Sequence, residues 1–123
     1  MPPPIEEDDE EEGAEDDDIK KISGCITILS NYISQMEVYN LESIYMNNCK
    51  LNDRDAVKIF DTIMSVGNQK IKRIYFNQND LTNVTAKKVA ELLNAGNTKV
   101  KEIGLKWNKI TAIGGNLIAN SLC

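Results

Sequence analysis

The chain has 123 residues, enough for a single domain, and a formal net charge of −5. It contains no histidine, which excludes Ser-His and Cys-His nucleophile pairs and histidine metal sites. No run of about 18 apolar residues is present, so no membrane-spanning helix is predicted. The start of the chain is acidic and proline-rich, the opposite of a secretory signal. Three widely spaced cysteines, Cys25, Cys49 and Cys123, form neither a disulfide framework nor a zinc pattern, and a cytoplasmic, reduced protein is expected.

The acidic charge is concentrated at the N-terminus. Residues 1–18 contain eleven of the 19 acidic residues and no basic one, which leaves eight acidic and 14 basic residues, a net charge of +6, in the rest of the chain. With three prolines and few apolar side chains, this segment cannot bury enough surface to offset its ordering entropy, so it is predicted to be a disordered acidic tail. Its composition fits either a solubilising role or docking on a basic surface.

A helix is predicted within residues 19–40. Apolar residues recur there at alternating steps of three and four, which places them on one helical face, and Ser23 is the expected N-cap. The pattern fits a helix that covers the apolar end of a repeat stack, and a coiled-coil dimerisation helix is the alternative. The residues of this face are Ile19, Ile22, Ile26, Leu29, Ile33 and Met36.

Three later segments share one spacing. Residues 41–51, 71–81 and 100–110 each have apolar residues at their first, fourth, sixth and eleventh positions. A self-similar period of this length predicts a repeat architecture with units 41–70, 71–99 and 100–123. The predicted strands are 43–46, 73–76 and 102–106. The predicted helices are 54–66 with Asp53 as cap, a second from a cap near Asn83 to Asn94, and a third from about Ala112.

Each predicted helix has a set of inward-facing residues. The sets are Ala56, Ile59, Phe60 and Ile63; then Ala86, Val89, Ala90 and Leu93; then Gly115, Ile118, Ala119 and Leu122. Gly67-Asn68 and Gly96-Asn97 have the composition of helix C-termini and are predicted to end the first two helices.

These motifs carry a resemblance to a known family. The second unit reads I-x-x-I-x-F-x-x-N-x-L followed by A-x-x-V-A-x-x-L, and the third reads V-x-x-I-x-L-x-x-N-x-I followed by G-G-x-x-I-A-x-x-L. Residues 41–123 thus resemble the ribonuclease-inhibitor-like class of leucine-rich repeats, with units of about 28 residues. The resemblance implies an α/β solenoid: a short right-handed strand–turn–helix stack with a parallel sheet on the concave face and helices on the convex face. The ninth-position residues, Cys49, Asn79 and Asn108, are expected to form a structural ladder that bonds buried backbone groups of the turns.

The last unit lacks a polar cap in the sequence. An uncapped unit is expected to expose its apolar end, at Ile103, Leu105, Ile110 and Ile118, beside an open sheet edge. Either the chain is part of a longer array, or this C-terminal edge docks onto another molecule.

The residues favour binding over catalysis. Gly114-Gly115 lacks the Lys-Ser/Thr of a phosphate loop, and dense carboxylates occur only in the tail, so no enzyme activity, cofactor or metal is predicted. The resemblance implies that outward strand positions line the concave face, where Tyr, Trp and Arg are typical of interface hot spots. Alternatively, Trp107 packs on the end of the stack and the tyrosines only cover the sheet. The predicted partner-binding residues are Tyr45, Asn47, Arg73, Tyr75, Asn77, Lys106 and Trp107.

The expected function is a non-catalytic protein-interaction or scaffold module, a subunit of a cytoskeletal or other multi-protein complex. One alternative is a regulator that resembles leucine-rich-repeat GTPase activators, and another is an acidic-tailed chaperone for basic proteins. Nucleic acid is not an expected partner, because the net charge of +6 forms no focused stripe and the acidic tail would oppose phosphate.

Overall fold

The protein is of mixed α/β class with a parallel sheet, as predicted. A computed structural model describes residues 10–35 and 38–121, with side chains from residue 21 onward. Within these residues four helices and three strands follow one another in chain order: α1 (Glu10–Ser34), β1 (Ser43–Tyr45), α2 (Asp53–Val66), β2 (Arg73–Tyr75), α3 (Asn83–Ala95), β3 (Glu102–Gly104) and α4 (Ala112–Ser121).

The three strands form one parallel sheet in the order β1-β2-β3. Ser43 pairs with Arg73 and Arg73 with Glu102, so the register advances by one strand–turn–helix segment at each step. The segments 41–70, 71–99 and 100–121 are called units 1, 2 and 3 below. Since the register is constant, equivalent residues of successive units lie side by side across the sheet.

The core lies between the sheet and the helices. Ile44 and Ile74 point from the strands into a cluster with the α2 side chains Ile59 and Phe60. The rings of Phe60 and Phe76 are 5.7 Å apart between centroids and tilted by 60°. The four predicted inward residues of α2 are all fully buried. The opposite face of the sheet, called the outer face, carries the side chains that alternate with these.

The helix caps differ by one residue from the prediction. Asn52, not Asp53, is the N-cap of α2, and it forms a capping box with Asp55. Thr82, not Asn83, is the N-cap of α3. The error has a physical cause: Asp53 and Asn83 use their side chains to bond the next unit instead of their own helix. Gly67, which was predicted to end α2, is its C-cap and has the αL conformation, with φ of 60°.

The inward sets of units 2 and 3 need correction. In α3 Leu93 packs against the core as predicted but is only half-buried, beside a cavity of about 300 Å³ next to unit 3, and the fully buried Leu92 was not predicted. In α4 Gly114 is buried, while the predicted Gly115 and Ala119 are exposed. In units 1 and 2 the alanine equivalent to Gly115 is covered by the helix of the following unit. The described residues contain no element after α4, so Gly115 is not covered. Leu122 lies outside the described residues.

Helix α1 covers the end of the core that lies at unit 1. Ile26 and Ile33 are buried, and the Asn68 side-chain amide donates to the Ile33 carbonyl at 3.0 Å. The helix begins at Glu10 instead of at the predicted Ser23. Part of the predicted disordered tail, residues 10–18, therefore belongs to α1, where acidic residues favour the positive end of the helix dipole. Residues 1–9 and Met36 lie outside the described part of the chain.

Candidate functional site

Two asparagines hold the turns that support the outer face. The Asn79 side-chain oxygen accepts from the backbone N–H groups of Cys49 and Leu51, both at 2.9 Å, and its amide donates to the Phe76 carbonyl at 2.9 Å. Asn108 accepts in the same way from Asn79 N–H at 3.1 Å. Because each side chain satisfies buried backbone groups of two units, the turns stack as one rigid layer.

Cys49 occupies the equivalent position in unit 1. Its thiol is a free thiol that donates to the Asn47 carbonyl at 3.3 Å, a bond within its own turn. The sulfur makes a weaker hydrogen bond than an amide would, so the turn of unit 1 is held mainly by Asn79 from the next unit.

Asn47 and Asn77, two of the predicted binding residues, have a structural role. The side-chain oxygen of Asn47 accepts from Asn77 N–H at 2.7 Å, and that of Asn77 accepts from Lys106 N–H at 2.7 Å. Their oxygens are thus engaged in a second ladder between units. The sequence feature that indicates this second ladder is an asparagine at the same position in consecutive units.

The outer face carries a stacked pair of aromatic rings. Tyr45 and Tyr75 have centroids 5.0 Å apart and an interplanar angle of 13°. Tyr45 is 65% exposed. Gly104 makes room for this pair, because a Cβ atom at that position would lie 2.7 Å from the Tyr75 ring. A flat aromatic surface of this kind offers a large, rigid contact area to a partner.

Charged groups fix the position of Tyr75. The Tyr75 hydroxyl donates to the Glu102 carboxylate, and this hydrogen bond raises the pKa of Tyr75 above its ordinary value of 10.0. The Arg73 Nε atom lies 3.7 Å from the same carboxylate, and its guanidinium donates to the Ser43 hydroxyl at 3.0 Å. Glu102 was not among the predicted site residues; its place in the strand alternation identifies it as an outward position.

Trp107 lies at the edge of the outer face and is 74% exposed. Its backbone is in the left-handed region, with φ of 58°, as at the equivalent Asn48 and Gln78. This conformation suits asparagine but is unusual for a bulky aromatic residue. The high exposure does not fit the alternative in which Trp107 packs against the end of unit 3. Lys106, which precedes it, is also exposed.

A further ladder at the helix starts was not predicted. Asp53 accepts from the hydroxyl groups of Thr82 and Thr85, each at 2.6 Å. Burial raises the pKa of Asp53, but the hydrogen bonds from Thr82 and Thr85 outweigh it and lower the pKa below 3.8. Between units 2 and 3 the neutral Asn83 replaces this carboxylate and bonds Thr111 at 2.8 Å.

Among the side chains that the structure describes, in residues 21–35 and 38–121, no cluster of three or more His, Cys, Asp or Glu could hold a metal ion. None of the helices in this part of the chain is long and apolar enough to cross a membrane.

Comparison with protein-family models gives no match for this chain, and neither does comparison with curated proteins.

Proposed function

We propose that this chain is a short leucine-rich repeat protein of the ribonuclease-inhibitor-like class that acts as a non-catalytic protein-interaction module within a larger assembly. In this proposal the three units form a right-handed solenoid, the outer face is its concave surface, and α1 is its N-terminal cap. The binding surface consists of Tyr45, Arg73, Tyr75, Lys106 and Trp107, with Asn47 and Asn77 as supports beneath it.

The repeat class is supported by hydrogen bonds that recur between units. The Asn79 and Asn108 ladder bonds the same backbone positions in consecutive turns, and the parallel register advances from Ser43 to Arg73 to Glu102. An internal symmetry of this kind is what a stacked repeat requires, because each unit completes the core of its neighbour.

The observation that carries the binding proposal is the exposed aromatic surface. Trp107 and Tyr45 present most of their area to solvent, although apolar area of this size is favoured for burial. Tyr45 is stacked on Tyr75, and the backbone of Trp107 lies in a turn that the Asn108 side chain holds by hydrogen bonds, so little backbone entropy would be lost when a partner covers them. Hot spots of protein interfaces are rich in these residue types.

The charges suggest the chemistry of the partner. Arg73, Glu102 and Lys106 surround the aromatic rings with both signs of charge. A partner surface with an apolar centre and a rim of mixed charge fits this pattern better than a uniformly acidic ligand such as nucleic acid. A cytoplasmic, reducing location is part of the proposal, and the free thiols of Cys25 and Cys49 are compatible with it.

The test uses the full chain as bait in quantitative affinity purification. Tyr45→Ala and Trp107→Ala together are expected to reduce capture of the specific partner about 30-fold or more, the effect of removing hot-spot aromatics. The matched control is Ile113→Ala, because Ile113 is 70% exposed but lies on α4. If the double variant folds with unchanged circular dichroism and still captures the partner as the wild type does, the outer face is not the binding surface.

A further inference from the structure

The free edge of β3 has backbone groups that are available for pairing. The carbonyls of Gly104 and Lys106 point inward, where they accept from Phe76 N–H at 2.8 Å and Gln78 N–H at 2.7 Å. Because backbone groups alternate in direction along a strand, those of Ile103 and Leu105 point away from β2. In the part of the chain that the structure describes, no strand pairs with this side of β3.

The side chains along this edge are complementary to themselves. Residues 102–106 read Glu-Ile-Gly-Leu-Lys, and a reversed copy centred on Gly104 places Glu102 opposite Lys106. It also places Ile103 opposite Leu105, and glycine opposite glycine. Every residue except Gly104 therefore meets a side chain of opposite charge or of matching apolar character on the same face of the sheet.

We infer that β3 pairs with β3 of a second copy of this chain, antiparallel and about a two-fold axis through Gly104, to form a continuous six-stranded sheet. Such an interface is isologous, as in most homodimers. Each of the two Ile103–Leu105 pairs exchanges two backbone hydrogen bonds, because these are the residues whose N–H and C=O groups point outward. The two Glu102–Lys106 pairs lie on the outer face.

The hydrogen-bonding capacity of the edge is consistent with this pairing. The Leu105 carbonyl accepts from the Asn108 amide at 3.1 Å, and a carbonyl oxygen has a second lone pair for an amide from the other copy. Gly104 has no side chain to hinder the approach of its symmetry mate, and glycine–glycine is a non-hydrogen-bonded position where opposite Cα atoms approach to about 4.5 Å.

The apolar surface behind the edge would be covered in the same dimer. Ile103, Leu105 and Ile118 are half-buried around the cavity of about 300 Å³ beside Leu93, and Gly115 is exposed. Placing Ile103 and Leu105 of the second copy across the edge extends the apolar layer of the sheet over this region. Burial of open sheet edges together with apolar side chains is a typical driving force for strand-mediated association.

This inference goes beyond the proposed function, because it concerns association of the chain with itself and needs no other partner. The two can fail separately: partner capture tests the outer face, whereas the mass of the purified chain tests the β3 edge.

The experiment measures the mass of the purified full chain by sedimentation equilibrium over a wide concentration range. A reversible monomer–dimer equilibrium is expected. Lys106→Glu places like charges opposite each other twice per dimer and should raise the dissociation constant about tenfold. The double variant Glu102→Lys with Lys106→Glu restores opposite charges and should return the dissociation constant to within about threefold of wild type. Lys87→Glu, the same charge change at an exposed position of α3, is the control and should leave the dissociation constant unchanged.

Several outcomes would overturn the inference. These are a monomer at every concentration, an open-ended series of larger assemblies, or a dimer that responds equally to Lys106→Glu and Lys87→Glu. A monomer whose Ile103 and Leu105 amides exchange slowly with deuterated solvent would show that another segment of this chain covers the edge. Rescue by the charge-swapped double variant is the result that a different dimer surface could not produce.

Discussion

Units 2 and 3 have nearly the same sequence pattern but different environments. Ile74 at the centre of β2 is fully buried, whereas Ile103, its partner in β3, is only half-buried. Ala86 is likewise covered while its equivalent Gly115 is exposed. The pattern within a unit therefore determines which side chains point inward, and the neighbouring unit determines how much of them is buried.

Unit 1 shows that a neighbour on each side is sufficient to bury the core of a unit, even when one neighbour is a helix without a strand. Helix α1 contributes no strand, yet Ile26 and Ile33 cover the α2 side chains, and Asn68 bonds its last turn. The contrast to test is thus between a unit enclosed on both sides and a unit with one neighbour.

The largest expected difference is between two identical core truncations. Ile74→Ala should lower the free energy of unfolding by about 3–4 kcal/mol, because it leaves a cavity in a fully packed site. Ile103→Ala should cost about 1–2 kcal/mol, because part of the side chain is already in water. Urea denaturation of dilute protein measures both. Equal losses at the two positions would mean that unit 3 is as enclosed as unit 2.

Adjacent glycines of α4 should respond in opposite directions. A Cβ atom at Gly114 would lie 2.2 Å from the Asn83 Oδ1 atom and 2.9 Å from Ala86, so Gly114→Ala should destabilise the fold by about 1–3 kcal/mol. Gly115 has open space around it, and Gly115→Ala should stabilise the fold by about 0.5–1 kcal/mol through helix propensity. Thermal unfolding of the two variants, compared with that of the wild type, shows whether each substitution stabilises or destabilises the fold. A destabilised Gly115→Ala variant would reveal a contact on the exposed side of α4.

The two contacts between successive units are expected to respond differently to pH. Asp53, between units 1 and 2, has a pKa lowered by the hydrogen bonds from Thr82 and Thr85, which outweigh the effect of burial, whereas Asn83 in the next junction does not titrate. A carboxylate whose pKa is lower in the folded state stabilises it above the unfolded value of about 3.9, and this contribution is lost as the pH falls through the folded-state pKa.

Asp53→Asn should therefore destabilise the protein by about 1 kcal/mol at neutral pH and have little effect at the acid limit. The measurement is the free energy of unfolding as a function of pH. Asp80→Asn is the control, since this exposed carboxylate is 3.5 Å from Lys109 Nζ and such surface pairs contribute little. A difference between wild type and Asp53→Asn that persists unchanged at low pH would contradict the role given to the ionised carboxylate.

The sequence predicted the elements of the three units and the inward residues of α2, because both follow from local periodicity. The three strands, helices α2 to α4 and the buried set of α2 are in the expected places, although β3 ends at Gly104 instead of at Lys106. The N-cap errors occurred where a side chain bonds the next unit. Asp53 and Asn83 have the composition of N-caps, and only the structure shows that they reach across to Thr82 and Thr111. Gly114 and Gly115 could not be told apart without knowing which side of α4 has a neighbour.

The outward strand positions at the candidate site were predicted. Alternation along the strands identified the outward positions of Tyr45 and Tyr75, and their stacking follows from the parallel register. The sequence does not show which backbone groups an asparagine side chain will bond, so Asn47 and Asn77 were assigned to binding although their oxygens accept from backbone N–H groups of the next unit, those of Asn77 and Lys106. The partner-binding role of the remaining residues is still a prediction.

The contrast between an enclosed and an open unit is tested most directly by amide hydrogen exchange on dilute, monomeric protein. Phe76 N–H, which donates to Gly104, should be among the most protected amides, and those of Ile103 and Leu105 should exchange far faster. Raising the concentration should slow exchange at Ile103 and Leu105 as the second copy binds. Equal protection of Phe76, Ile103 and Leu105 in the dilute monomer would contradict an open β3 edge.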